Sequence, residues 1–267
     1  MRFAEYLRAQ RVAAAPGRDD RPWVIAHRGY SGAAPENTLA AVDAARAIGC
    51  DFIEVDLGIS GDGTPMVLHD STLNRTTTAT GTIAQMSDER ISLADAGSWL
   101  GPGFAGQRVP KLRTLLADLA EHGGRLLLEF KDDWSPGAVS QVAADIIETG
   151  MADRIIIQSF SVRTLEAARD LIPMVPRCLL RLMPRDGDGD VELAHALEVI
   201  GYNPSERGFF ARRQLAEEFM ELGFGMFVWT VDAPAVWERL LGSGISAIIT
   251  NHPGRLQGYL AAKYDAV

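Results

Sequence analysis

Eight short apolar runs recur along the chain, and most are apolar at successive positions instead of alternate ones. They are WVIAH (23–27), FIEVDL (52–57), RLLLEFK (125–131), RIIIQSF (154–160), RCLLRL (177–182), LEVIGY (197–202), MFVWTV (226–231) and AIIT (247–250). Unbroken apolar runs of this length suit strands covered on both faces, hence a parallel sheet flanked by helices. Between them lie amphipathic stretches with recognisable ends. Residues 36–48 have Asn37 or Thr38 to cap the start and Gly49 to stop it, Pro136 opens a helix that closes at Gly150, and Ser161 caps the next. Residues 111–121, 212–222, 233–241 and 254–264 read the same way. Eight parallel strands with intervening helices predict an α/β fold, a closed TIM-type (β/α)8 barrel, and 267 residues suit one such barrel.

Two stretches break the alternation. Gly61-Asp62-Gly63 is a turn signal between two extended runs, so residues 65–69 should fold back along the end of strand two as a hairpin. Residues 71–110 are rich in Thr and Gly and have no long periodic segment. A structureless loop of that length is improbable inside a compact domain, so this stretch is expected to form a small inserted subdomain over the C-terminal mouth. Residues 1–22 read as an N-terminal extension, a short helix with Phe3, Tyr6, Leu7 and Gln10 on one face covering the barrel floor. Residues 23–267 then form a single catalytic domain.

Charge and cysteine content narrow the setting. A net charge of −9 excludes an ordinary nucleic-acid binder and requires any anionic substrate to be held by local positive charge. Cys50 and Cys178 have no metal-ligand or redox spacing, which suits a reducing compartment, so a cytoplasmic protein is expected. No apolar run approaches transmembrane length, and no stable membrane association is expected.

Chemistry gathers at the strand ends, where barrel active sites lie. Strand one ends in His27-Arg28. Strand two carries Glu54 and Asp56, and strand three Glu129 and Lys131, each pair two residues apart and so on one face. Inward charges in a barrel core are costly unless paired or coordinated. Either Glu129–Lys131 and Glu54–Arg28 are structural ion pairs, or the three carboxylates surround a hard divalent cation, Mg2+ or Ca2+. The hairpin would bring His69 opposite the Glu54–Asp56 region, facing His27 across the metal. Paired histidines with two cations fit general acid–base cleavage of a phosphate ester, with Arg28 and Lys131 on the phosphate oxygens. Gly29 would then give the backbone room to approach that phosphate. His122, at a helix C-terminus, and His195 read as structural, and His252 as a peripheral contact at the mouth.

The ordered segments HRG (27–29), PENT (35–38), EVDL (54–57), DGTPMVLHD (62–70), LLLEFK (126–131), QSF (158–160) and WTVD (229–232) resemble the glycerophosphodiester phosphodiesterase family from about Val24 to Pro253. The resemblance implies a barrel with the family's small insertion and hydrolysis of glycerophosphodiesters to sn-glycerol 3-phosphate and an alcohol. It implies His27 and His69 as the acid–base pair, Glu54, Asp56 and Glu129 as ligands of Mg2+ or Ca2+, and Arg28 and Lys131 on the phosphate. These residues serve attack by water or by the substrate's own glycerol hydroxyl equally well.

Asn251 stands where the family commonly has Asp, 244–247 (GISA) lacks the usual acidic residue, and Lys111 replaces a more common Thr. These departures are expected to stay clear of the metal and the histidines and to affect leaving-group contacts near strand eight. Glu36 is expected either to edge the metal site or to cap the first helix, and Phe160 and Trp229 to line the alcohol pocket or to pack at the rim. One competing reading is cleavage of a lipid phosphodiester, as by lysophospholipase D or sphingomyelinase D-like toxins. A large apolar cap would favour it, and this insertion is only modestly apolar. The other is a phosphate-ester-binding protein without turnover, which loss of either histidine would signal; both are present.

Overall fold

The apolar runs become the staves of a closed barrel. A computed structural model of the chain describes Phe3 and residues 21–185 and 189–264. The staves are β1 (Trp23–Ala26), β2 (Phe52–Ile59), β4 (Leu126–Phe130), β5 (Ile155–Ser159), β6 (Arg177–Arg181), β7 (Gly201–Pro204), β8 (Gly225–Val228) and β9 (Ala247–Thr250). All eight pair in parallel, and β1 closes the ring by pairing with both β2 and β9. The short strand β3 (Pro65–Val67) runs antiparallel to the end of β2, with Leu57 opposite Val67, which is the expected hairpin.

Helix starts follow the local signals. Thr38 caps α1 (Leu39–Ala47) by accepting from the amide of Ala41, and Ser161 caps the helix Val162–Leu171 through the amide of Thr164. The run LEVIGY departs from expectation, because only its last two residues reach the sheet. Leu197 N and Val199 N donate to Leu193 O and Ala194 O at 2.9 and 3.1 Å, with Glu198 between them at φ 52°. These bonds finish a helix over Gly189–Ala196 that the sequence reading lacks. The apolar side chains of Leu197, Val199 and Ile200 are buried, but as a helix end instead of a strand. The helix Glu206–Ala211 is a second unexpected element. Of the N-terminal extension only Phe3, Arg21 and Pro22 lie within the described residues. Phe3 lies edge-on to Trp23 and Phe227 at the barrel floor.

The barrel interior changes character along its axis. At the floor, Ile25, Phe52, Leu127, Ile156, Phe227 and Ile249 form an apolar plug. Two residues further up the same inward faces come Glu54, Glu129 and Gln158, and then Asp56 and Lys131. The floor is therefore apolar packing and the rim carries the polar groups. Residues 71–110 have their own apolar cluster around Leu73, Ile83, Met86, Ile91 and Val109, shared with Met66 and Leu68 of the hairpin. Asp88 fastens this region by accepting from Ser60 and Thr64 at 2.7 Å and from Lys111 at 2.6 Å. Among the described residues, no helix is long and apolar enough to cross a membrane.

Candidate active site

Just beyond β1 the chain turns sharply. Arg28 and Gly29 both adopt left-handed backbone conformations, at φ 56° and 76°. Their amides donate to the Glu54 carboxylate and carbonyl at 2.8 and 3.0 Å, which holds the strained turn. Gly29 also has a packing role, since a Cβ there would lie 2.6 Å from the backbone of Ala41 and the close passage of α1 requires glycine. Glu36 does not cap that helix, since Thr38 does so. The Glu36 carboxylate accepts from Arg28 Nη1 at 2.8 Å.

The two histidines, three carboxylates, two cations and two aromatics singled out in the sequence all line one cleft, open to solvent, at the mouth. His122 and His195 lie elsewhere, beside Asp118 and Phe224 respectively. His252 is near Gly32 and does not line the cleft.

The histidines have unlike backing. His27 Nδ1 is 2.7 Å from Asn251 Oδ1, which also accepts from Ser31 Oγ at 2.8 Å. The Asn251 amide cannot be turned over, because its Nδ2 donates to Asp232 Oδ2 at 2.7 Å and a carboxylate only accepts. Asp232 is held in turn by Thr250 Oγ1 and the Asn251 amide N–H, both at 2.8 Å. Oδ1 therefore faces His27 as an acceptor, Nδ1 carries the hydrogen, and Nε2 keeps its lone pair 3.9 Å from Glu54 Oε2. Burial, followed by the charge of Arg28, pushes the His27 imidazole down to about 4. The expectation that Asn251 stays clear of the histidines is thus overturned: β9 ends beside β1, which delivers residue 251 to the His27 ring. His69 follows the hairpin, where Leu68 N donates to Asp56 O at 3.0 Å, and its Nδ1 lies 2.6 Å from the carboxylate of Asp70.

Glu54, Asp56 and Glu129 are all buried, and one oxygen from each lies within 4.8 Å of the others. Burial and the neighbouring carboxylates push Glu54 well up, and burial and Asp56 push Glu129 up to about 7. Burial also acts to raise Asp56, but Arg28 and Lys131 outweigh it and hold this acid below its ordinary value. Lys131 Nζ reaches Glu129 at 2.6 Å and Asp56 at 3.6 Å, while Arg28 Nε faces Asp56 Oδ2 at 3.2 Å. Glu54 Oε1 is buried with no hydrogen-bond partner, an arrangement that is costly unless something else satisfies it. Around the cleft, five carboxylates (Glu36, Glu54, Asp56, Asp70, Glu129) meet three basic side chains (Arg28, Arg75, Lys131). An all-oxygen donor set in which acids outnumber bases, with an orphaned carboxylate oxygen, fits a hard divalent cation.

Several supporting residues escape the sequence reading. Gln158 Nε2 approaches Glu129 Oε2 at 3.5 Å and its Oε1 accepts from Asn203 at 2.9 Å, a polar ladder across β4, β5 and β7. Its signal was present: Gln158 is a polar residue on the inward face of an apolar run. Asp70 and Arg75 lie in a Thr-rich stretch without periodicity, where no local pattern marks them.

Comparison with known proteins shows the family. Residues 27–255 match the model of the glycerophosphoryl diester phosphodiesterase family. The chain is 35% identical over 236 residues to a glycerophosphodiester phosphodiesterase of Caldanaerobacter subterraneus subsp. tengcongensis, covering 87% of this chain and 95% of the relative. It is 29% identical over 251 residues to a glycerophosphodiester phosphodiesterase of Bacillus subtilis, covering 88% and 85% respectively. Among solved structures it is similar to a phosphodiesterase of Oleispira antarctica in complex with the product sn-glycerol-3-phosphate. That similarity has a TM-score of 0.80 at 27% identity and covers 90% of this chain and 96% of the other.

Proposed function

Because the chain belongs to the glycerophosphoryl diester phosphodiesterase family and is a phosphoric diester hydrolase, we propose that it hydrolyses glycerophosphodiesters to sn-glycerol 3-phosphate and an alcohol, using His27 and His69 as base and acid. The observation that carries this reading is the unlike backing of two imidazoles lining one cleft. An imidazole backed by a neutral amide oxygen and one backed by a carboxylate are suited to opposite parts in an acid–base pair.

His27, half-buried and neutral with its lone pair on Nε2, takes the proton from a water that attacks phosphorus or from the substrate's glycerol hydroxyl. In the second case a water then opens the cyclic phosphate to glycerol 3-phosphate. His69, oriented by the Asp70 carboxylate at its Nδ1, delivers a proton from Nε2 to the leaving oxygen. Arg28 and Lys131 bind the non-bridging phosphate oxygens and neutralise the charge that grows there. Glu54, Asp56 and Glu129 would hold one Mg2+ or Ca2+, which when bound supplies Lewis-acid stabilisation of phosphoryl charge. Phe160 and Trp229, edge to face at 5.6 Å, line the part of the cleft where the alcohol group lies. We place the reaction in the cytoplasm, in keeping with the free thiols of Cys50 and Cys178.

The test is coupled detection of glycerol 3-phosphate released from glycerophosphocholine, glycerophosphoethanolamine and glycerophosphoglycerol, with Mg2+ or Ca2+ and with EDTA. Release that EDTA abolishes is expected. No release from any of the three, or faster cleavage of lysophosphatidylcholine or sphingomyelin, would overturn the reading.

A further inference from the structure

We infer that Arg75, supplied by the insertion, is a positioning residue of the catalytic apparatus that locks the carboxylate behind His69 and the carboxylate behind Arg28 into one frame. The inference rests on the functional reading above.

The local sequence first fixes where Arg75 stands. Leu73 is fully buried in the insertion's apolar cluster and Thr76 is nearly so, which anchors the chain on both sides of residue 75. Thr77 donates through its amide and its Oγ1 to Leu73 O, at 3.1 and 2.7 Å. Asn74 Oδ1 accepts from the amide of Gly81 at 2.8 Å. The backbone around Arg75 is therefore a closed turn.

From that turn the guanidinium engages two acids at once. Nε and Nη2 donate to Asp70 Oδ2 and Oδ1 at 2.7 and 2.9 Å. Nη1 and Nη2 donate to Glu36 Oε2 and Oε1 at 2.7 and 2.8 Å. Four of the five guanidinium N–H groups are thereby used, in two bidentate forks. Arg75 has no second fork left for a phosphate and does not line the cleft, whereas Arg28 does line it and commits only Nη1 to a side-chain hydrogen bond. The two arginines thus divide the work, one toward substrate and one toward the residues that present it.

Both acids pass the constraint on. Asp70 holds His69 Nδ1, and Glu36 holds Arg28 Nη1, so one guanidinium is a single residue removed from the acid and from the phosphate cation. Hydrogen bonds from Arg75 hold Asp70 far below the ordinary carboxylate range, and Glu36 is also held down against its burial by Arg75 and Arg28. Arg75 itself is about half exposed, so removing it takes little from the fold.

The experiment compares Arg75→Ala and Arg75→Lys with the parent chain on glycerophosphocholine, in saturating Mg2+ or Ca2+. Turnover should fall about 10–100-fold in both variants, the usual loss when an outer partner of a site is removed, while the thermal midpoint stays unchanged. Lysine should not substitute, because one ammonium cannot fill two planar forks. Millimolar guanidinium should restore part of the turnover of Arg75→Ala and none of that of His69→Ala. Turnover of Arg75→Ala within threefold of the parent, or full activity of Arg75→Lys, would overturn the inference. Should the parent release no glycerol 3-phosphate, the substrate reading fails separately. The ring-nitrogen NMR signals of His69 then decide: a shift in Arg75→Ala supports the frame, and an unchanged spectrum sinks it.

Discussion

The mouth of the barrel is divided into two arcs of opposite chemistry. From β1 through β2, the hairpin and β4, the cleft is lined by His27, Arg28, Glu54, Asp56, His69, Glu129 and Lys131. From β5 round to β9 it is lined by Gln158, Phe160, Leu180, Trp229, Thr230 and Ile249, none of them charged. The charged arc is built to be rigid, since its acids are buried and cross-linked by Arg28 and Lys131. The neutral arc is more open at its edge, where Phe160 is 39% exposed. The contrast separates what every phosphodiester shares from what distinguishes one from another. A phosphate needs charge at fixed points, whereas an alcohol group of variable size needs only shape and an apolar or aromatic face.

The largest effects should come from the charged arc. His27→Ala and His69→Ala should each abolish measurable turnover, consistent with the ~10²–10⁴ that one positioned proton transfer contributes. Neither should change the thermal midpoint much, because both rings are at the mouth and not in the apolar plug. Steady-state rates within threefold of the parent for either variant would show that the division into arcs does not place the chemistry.

The acids of that arc make the next prediction, and its sign follows from Glu129. Its folded value of about 7 lies above the ordinary 4.5, so the folded chain keeps a proton that the unfolded chain has lost. The associated stability is complete below about 4.5 and disappears as pH rises through 7 in metal-free protein. A divalent cation takes the place of that proton. The rise in thermal midpoint on adding Mg2+ or Ca2+ should therefore be small at pH 5 and grow through pH 7. Glu129→Gln should flatten that growth and weaken metal affinity by about 10-fold or more, the scale of loss seen even for outer partners of a metal site. A metal titration unchanged by Glu129→Gln would remove this residue from the ligand set.

The two arcs differ as much in legibility as in chemistry. Glu54, Asp56, Glu129 and Lys131 could be read directly because a strand places alternate residues on one face, and a charge inside an apolar run is conspicuous. His69 could be read because the Gly61-Asp62-Gly63 turn sets the hairpin register. What escaped depends on closure of the ring and on the insertion. Asn251 reaches His27 only because β9 returns to β1, a contact spanning 224 positions that no local pattern encodes. Arg75 reaches Asp70 and Glu36 from a loop without periodicity. LEVIGY misled for a different reason: a buried helix end and a buried strand show the same apolar run, and only the left-handed turn at Glu198 distinguishes them.

The smallest predicted effect tests the neutral arc. Phe160 presents an aromatic ring at the edge of the cleft, 5.6 Å from the ring of Trp229 and with Lys131 Nζ 6.0 Å from its centroid, where the two arcs meet. An exposed aromatic face attracts a quaternary ammonium by about 0.5–1 kcal/mol, which corresponds to about a 2–5-fold change in binding. Phe160→Leu keeps an apolar side chain there and removes the π face. It should raise KM for glycerophosphocholine about 2–5-fold with kcat unchanged, and leave KM for glycerophosphoglycerol, whose second alcohol carries no cation, where it was. Trp229 is a poorer site for this test, because its indole N–H donates to Asn203 O at 2.8 Å and truncation would loosen β7. Equal changes in KM for both substrates would mean that Phe160 only fills the rim, and that the neutral arc discriminates by shape alone.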